Sequence, residues 1–498
     1  MDDAAPTPAA MKASPARLTP THLVLVVVTA LMWLAGTVTV ILADPVRYND
    51  SPGYVPGTGG DAAGTVSLLG DAVRAWPTVV LYGLAGSDPS RVALQTAIAL
   101  AAWSLLIWAF LARVRPLVAA VAGGLLAVLA LAPVAYQWNL LILSDSLSIS
   151  LVLGGVALLR LGVPPGPRAT LWTWLGLLAL SLAGVSKLPA TAILLAALVW
   201  CIARWARSGR LHDTISRPRE ATRANWGAIA AGGAAAVLLV VYPVAVNSAI
   251  DRAWVEGEPG GTSRNAVNFY FLTATDINSG LSPIPEASRA GAQGLLDRAQ
   301  AASDALVAAL PDDAPECLGR APFSGEPGPF DFREVQVRDC PDGVAWVQDR
   351  FVIWYATFLV THPDYVADVL AYRLPVSLTA APYTGYVSLV PPALALLFAD
   401  ATLGEVTYLP LPLWLLAGLI AWAIVAVRFV RGRRIAGGSL LLAAFPGGIA
   451  AWSVTLLVMN AEMQRISAVA TVPLLAFSIL LLAGLAQATG EGEANRAR

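Results

Sequence analysis

Two carboxylates, Asp44 and Asp50, stand in the run Ala43-Asp44-Pro45-Val46-Arg47-Tyr48-Asn49-Asp50-Ser51-Pro52-Gly53-Tyr54, directly after a long apolar stretch. A carboxylate held beside a membrane surface can take the proton of an acceptor hydroxyl or bind a cation. The same residues also suit a plain turn, since Asp-Pro and Asn-Asp-Ser-Pro-Gly are ordinary loop chemistry. Three cations stand further along: Arg74 in Arg74-Ala75-Trp76-Pro77, Lys187 in Val185-Ser186-Lys187-Leu188-Pro189, and Arg465 after Met459-Asn460-Ala461-Glu462. Such cations often only snorkel towards lipid headgroups. The chemical alternative is an anionic ligand reaching them from the bilayer, such as a lipid phosphate. Asp145, in Ser144-Asp145-Ser146-Leu147-Ser148, heads an apolar stretch. An ionisable residue there marks a candidate site, or it caps the helix that follows. The segment from Trp354-Tyr355 to His362-Pro363-Asp364-Tyr365, with Arg373, offers aromatic faces that suit sugars and an interfacial belt equally.

The cysteines and histidines suggest no metal chemistry. Cys201 lies in an apolar run and reads as a small core residue. Cys317 and Cys340 share the longest polar segment, where an extracytoplasmic disulfide would contribute about 3 kcal/mol. His22, His212 and His362 are scattered, so neither a zinc site nor a histidine-based triad is indicated.

These residues must be positioned by membrane helices. The chain is 57% hydrophobic and only 13% charged, against roughly 25% charged in a soluble protein. A net charge of −1 excludes a bulk basic surface for nucleic acid. The first apolar stretch, about 22–43, reads as an uncleaved signal anchor. Further spans are expected near 91–112, 116–135, 140–160, 169–186, 188–204, 226–247, 411–430, 436–458 and 466–487. The shorter stretches 346–360 and 384–400 suit interfacial, re-entrant or further spanning helices, giving ten to twelve spans in all. Arg113, Arg115, Arg160, Arg168, the arginines of 204–223 and those of 428–434 fall in alternate connections, which places the N-terminus inside. Two long segments, 44–90 and 248–410, then lie outside. In the first, Val66, Leu68, Leu69, Ala72, Val73, Trp76 and Val80 recur at helical spacing, as in a helix lying flat on the interface. Lys187 and Arg465 become exceptions to the charge rule, on the outer side. No internal repeat is visible, which weighs against a transporter built from inverted halves.

In order and placement, these pieces resemble the GT-C superfamily of membrane glycosyltransferases, especially its protein-mannosyltransferase and lipid A aminoarabinose-transferase branch. Asp50-Ser51-Pro52-Gly53-Tyr54 resembles that family's first-loop Asp-Ser-x-x-Tyr element, and Arg74-Ala75-Trp76-Pro77 its Arg-x-Pro stretch. Ser144-Asp145-Ser146-Leu147 resembles its Ser-Glu-x-Leu, with Asp in place of Glu, and Lys187-Leu188-Pro189 its basic residue-Pro turn. Arg465-Ile466-Ser467 resembles its Arg-Tyr element, with Ile in place of Tyr. The resemblance implies an all-α polytopic membrane protein of GT-C-like fold. A cytoplasmic tail (1–21) precedes a seven-helix module (22–247). A large extracytoplasmic region (248–410), C-terminal spans (411–487) and a second tail (488–498) follow.

The resemblance also implies an inverting transfer of sugar from a polyprenyl-phosphate donor to an extracytoplasmic hydroxyl of a glycan, lipid or protein. Asp50 is then the general base, with Asp44 as the alternate. Arg74, Lys187 and Arg465 hold the donor phosphate, while Tyr54, Asp145, His362 and Arg373 bind substrate or support the site. Some relatives use a divalent cation, although no compact acidic cluster here calls for one. Usage rich in Ala, Gly and Arg and poor in Lys suggests the plasma membrane of a high-GC bacterium, with arabinose or mannose as the sugar. The rival from another class is a transporter or flippase of a lipid-linked sugar.

Overall fold

The computed structural model describes residues 18–47, 51–55, 66–68, 74–163, 168–207, 223–257, 272, 293–318, 340–377, 397, 410–433, 435, 437–458 and 463–496. Its helices are α1 (Pro20–Leu42), α2 (Trp76–Gly83), α3 (Asp88–Leu111), α4 (Pro116–Leu131), α5 (Pro133–Leu140), α6 (Asp145–Leu161), α7 (Ala169–Ser186), α8 (Thr191–Arg207) and α9 (Arg223–Gly257). They continue as α10 (Gln293–Ala308), α11 (Pro341–Thr361), α12 (Pro363–Ser377), α13 (Pro410–Val430), α14 (Gly438–Val458) and α15 (Met463–Arg496). Among the described residues there is no strand, only an isolated parallel bridge between Val46 and Leu141.

Eight of the described helices are long and apolar enough to cross a membrane, and the bent pair α4–α5 raises this to nine. The chain is therefore a polytopic α-helical membrane protein. The span expected at 140–160 is α6, a helix of 17 residues that starts only at Asp145. The span expected at 116–135 ends at Leu131, where the chain turns by 45° into α5. Pro133 causes the second shift: it disfavours a helical conformation at Ala132, whose ψ is 152°.

Burial sorts the bundle into centre and rim. The apolar stretch of α15 is 94% buried, whereas those of α1, α9 and α13 are 17–22% buried and present leucine, isoleucine and valine outwards, as lipid-facing helices do. Around α15 pack α4, α6, α13 and α14. The extensive contact of α6 with α7 needs small residues, since a Cβ added at Gly176 would meet the Gly155 carbonyl at 2.8 Å. Without a hydrophobic drive between helices in lipid, such close backbone approach supplies the packing.

The two ends of the bundle are chemically distinct. At one end Thr21 donates to the Val114 carbonyl, and the Arg115 amide donates to Gln487. Arg204 donates to the carbonyls of Gly162 and Val163 at 3.0 and 2.5 Å. Arg428 in the last turn of α13, and Arg431 and Arg433 in the connection to α14, lie at this end. The opposite end carries residues 43–47, 51–55, 74–88, 139–145 and 184–191. It also carries a small domain of α10, α11 and α12 built around Leu306, Leu318, Val347, Phe351, Tyr355, Phe358 and Val369. Cys317 and Cys340 are joined by a disulfide in this domain, as expected. Closing a loop of 23 residues contributes about 3 kcal/mol. Cys201 is half-buried in α8 among core residues.

The flat helix expected over 66–80 is shorter. Val66, Ser67 and Leu68 are not helical, and α2 begins only at Trp76, after an extended Ala75 and with Pro77 in its first turn. Pro77, Thr78, Val79, Leu81 and Tyr82 are buried, so α2 is built into the end of the bundle rather than laid flat on a surface. Of the stretch 384–400 only Leu397 is described.

Candidate functional site

The site grows from the non-helical turn, residues 141–144, between α5 and α6. Five consecutive carbonyls, 139 to 143, leave the helical pattern inside a membrane protein, where each must find a donor. Each does. Gln95 Nε2 donates to the carbonyls of Asn139 and Leu141, the latter at 2.8 Å. The Val46 amide donates to Leu140 at 3.0 Å, and Ser51 Oγ to Ile142 at 2.9 Å. The Tyr82 hydroxyl lies 2.7 Å from both Leu143 O and Gln95 Oε1, so one proton serves two acceptors. Ser146 Oγ donates to Asn139 Oδ1 at 2.5 Å. The segment after α1 is thereby fastened onto the head of α6.

Asp145 occupies the first position of α6, 1% exposed. Its Oδ1 lies 3.0 Å from Lys187 Nζ, whose side chain is itself 16% exposed. The helix N-terminus and the ammonium both place positive charge beside the carboxyl oxygens. Lys187 ends α7 in an extended conformation, which Pro189 prolongs into the turn Leu188–Ala190 before α8. Asn247 steadies this turn by donating to the carbonyls of Gly184 and Val185 at 3.2 and 3.3 Å.

Tyr54 links this pair to Arg74. Its hydroxyl lies 3.1 Å from Ser144 Oγ, next to Asp145, and the Arg74 guanidinium sits 5.3 Å from its ring centroid. Gly53 makes room for that crossing: a Cβ there would stand 2.6 Å from Arg74 Nε. Behind Tyr54, Tyr82 packs edge-on at 6.5 Å. Burial raises the pKa of the Tyr82 hydroxyl well above the usual tyrosine value, and the neighbouring Tyr54 and Asp145 add to the rise. It therefore serves as a donor, not as a base. At the rim, Asp88 binds both Arg47 at 2.5 Å and Arg91 at 2.6 Å, and Arg91 also donates to the Tyr82 carbonyl.

The structure thus brings together four of the expected residues, Tyr54, Arg74, Asp145 and Lys187, from four separate stretches of chain. Arg465 is buried in the first turn of α15, a helix that packs against α6 and the Leu188–Ala190 turn. Asp44 is exposed at the end of α1. Asp50 lies outside the described residues, although its neighbour Ser51 is fixed on Ile142. Arg373, fully buried, donates to the Leu456 carbonyl at 2.6 Å and so caps the end of α14. His362 is exposed and bound locally, stacked on Phe358 at 4.2 Å and paired with Thr361. Among the described residues no group of three His, Cys, Asp or Glu gathers as a metal site would.

Ser51, Tyr82, Gln95 and Asn139 were not singled out by sequence reasoning. A glutamine within an apolar membrane helix is the one signal that could have found them, because it needs polar partners at that depth. No protein-family model matches this chain, and neither a curated protein nor a solved structure matches it.

Proposed function

We propose that the protein is an inverting glycosyltransferase that moves a sugar from a polyprenyl-phosphate donor to an acceptor hydroxyl on the outer side of a bacterial plasma membrane. The observation that carries this reading is the Lys187–Asp145 pair, set beside Tyr54 and Arg74 at the bundle end opposite the arginine-rich one. The excess of arginine at that other end supports a cytoplasmic assignment for it, by the charge rule.

The chemistry follows from charge. Asp145 faces the Lys187 ammonium as an ion pair at 3.0 Å. The carboxylate holds Lys187 in place, and the ammonium, with three donors, can also bind an incoming phosphate. Arg74, held over Tyr54, supplies a second cation. In the proposed step Asp50 takes the acceptor's proton as the acceptor oxygen attacks the anomeric carbon. The bond from that carbon to the phosphate oxygen breaks, and the lipid phosphate leaves with its new charge held by the cations. Attack opposite the leaving group inverts the anomeric centre. Asp44 is the alternate base or a binder of sugar hydroxyls, and Arg465 a third phosphate ligand.

One observation favours the rival, a transporter or flippase of a lipid-linked sugar: the broken span α4–α5 is a feature transporters use at binding sites. Here, however, the carbonyls of the adjoining α5–α6 turn are taken by the protein's own donors. Between the two ends, Val152, Leu153, Val156 and Ala157 of α6 and Leu474 to Phe477 of α15 are fully buried, so the centre is packed apolar core.

Mass spectrometry of lipid co-purifying with the protein identifies the donor, and transfer assays with that donor test the reaction. Asp50→Asn keeps the shape and removes the base, so transfer should fall by about two to four orders of magnitude. Full activity in that variant refutes the base assignment. Donor movement across proteoliposome membranes without sugar transfer would establish the transporter instead.

A further inference from the structure

We propose that the C-terminal half of α11 rests in the headgroup layer of the bilayer, with Val352, Ile353 and Val360 turned to the lipid. These side chains are 59%, 76% and 82% exposed, and Ala356 on the same helical face is exposed too. The opposite face, with Phe351, Tyr355 and Phe358, is buried in the small domain. Spacing of three and four residues puts the exposed set on one stripe. Along the helix the polarity is uneven. Asp342, Gln348, Asp349 and Arg350 stand in the first half, and Arg350 pairs with Asp313 in water. From Phe351 to Val360 there is no charge at all.

Depth comes from where α11 is attached. Tyr355 donates to the Leu457 carbonyl at 2.6 Å, in the last turn of α14. That span has 21 residues, which at about 1.5 Å each matches a hydrocarbon core of about 30 Å. Leu457 therefore marks the hydrocarbon boundary, and α11 passes one side chain away from it. The headgroup layer beyond that boundary is about 5–8 Å deep, so the uncharged half of α11 falls within it. Interfacial helices seat an apolar face at this level.

The composition of the stripe selects lipid over protein. It has valine, isoleucine and alanine but no tryptophan, tyrosine or arginine, the usual anchors of protein interfaces. The rim span α13 has the same character, with Leu413, Leu416, Leu419 and Ile420 exposed by 50–54%. Trp354, half-buried at the edge of the stripe, suits an aromatic residue at headgroup level. Asp364 and Asp368, on α12 beyond the turn at His362, mark where the apolar face stops.

The test is spin-label accessibility on the full chain in nanodiscs of phosphatidylcholine and phosphatidylglycerol. Labels go at Ile353→Cys, Val360→Cys and, as the wet reference on the same stripe, Asp349→Cys, with Cys201 replaced by alanine. All three positions are exposed, so the substitutions do not disturb a core. Collisions with oxygen should exceed those with a water-soluble nickel chelate at 353 and 360, with the ratio reversed at 349. Nickel collisions dominating at 353 and 360 would overturn the proposal by placing the stripe in water. Low collision rates with both reagents would overturn it by placing the stripe under protein.

Discussion

The two ends of the bundle both carry buried or half-buried cations, yet they satisfy them differently. At the arginine-rich end, Arg204 binds backbone carbonyls, Arg160 sits 5.8 Å over Phe110, and Arg207 sits 5.0 Å over Phe429. No ion pair occurs there among the described residues. At the other end Asp145 holds Lys187, while Asp88 holds Arg47 and Arg91. Cations on carbonyls and rings fix helix ends and still present net charge to anionic lipid. Cations on carboxylates are held in fixed positions, largely buried at Lys187–Asp145 and partly exposed at Arg47–Asp88–Arg91. The first arrangement suits the orientation of a chain in a membrane; under the proposed function, the second holds donors in place for a ligand.

Breaking the central pair tests this contrast most sharply. Lys187→Met leaves the Asp145 carboxylate buried without its partner and should lower stability by about 3–5 kcal/mol, read by unfolding in detergent. Adding Asp145→Leu should recover much of the loss, since both charges are then gone. At the opposite end, Arg204→Met removes two charge-assisted bonds to carbonyls and should cost about 1.5–3 kcal/mol, with no comparable rescue from any acidic substitution. Tyr82→Phe removes the donor shared by Leu143 and Gln95 and should cost about 1–3 kcal/mol. The same assay on Gly53→Ala should show about 1–3 kcal/mol, accompanied by weaker donor binding as Arg74 is pushed off Tyr54. Smallest is Arg47→Ala at the exposed rim, whose effect should stay below about 1 kcal/mol and shrink as salt is added. Equal losses in Lys187→Met and Arg47→Ala would dissolve the distinction between a fixed cluster and a solvated rim.

The membrane helices were legible because each long apolar run has one outcome in lipid, and the disulfide because the two cysteines share one polar segment. Tyr54, Arg74, Asp145 and Lys187 were legible as a set only through their order along the chain and the common end of the bundle that alternating spans assign them. What decided their geometry was harder to read. Pro133 bends the span at Ala132, the turn after α5 takes five carbonyls out of the helical pattern, and nothing local says that Gln95, far earlier in the chain, will serve two of them. Periodicity over 66–80 also suggested helix at 66–68 and 74–75, which are not helical among the described residues. A regular apolar spacing does not fix where a helix starts, and Pro77 places the start of α2 at Trp76. Polar satisfaction across distant segments is a tertiary property, and hydropathy carries no record of it.

One further consequence lies in the order of synthesis. The most buried helix, α15, follows every other described helix in the chain, so it is synthesised after α4, α6 and α14, against which it packs. Until it joins them, the surfaces those helices will turn towards it must face lipid or one another. Among the described helices, the central post is therefore set after its surround.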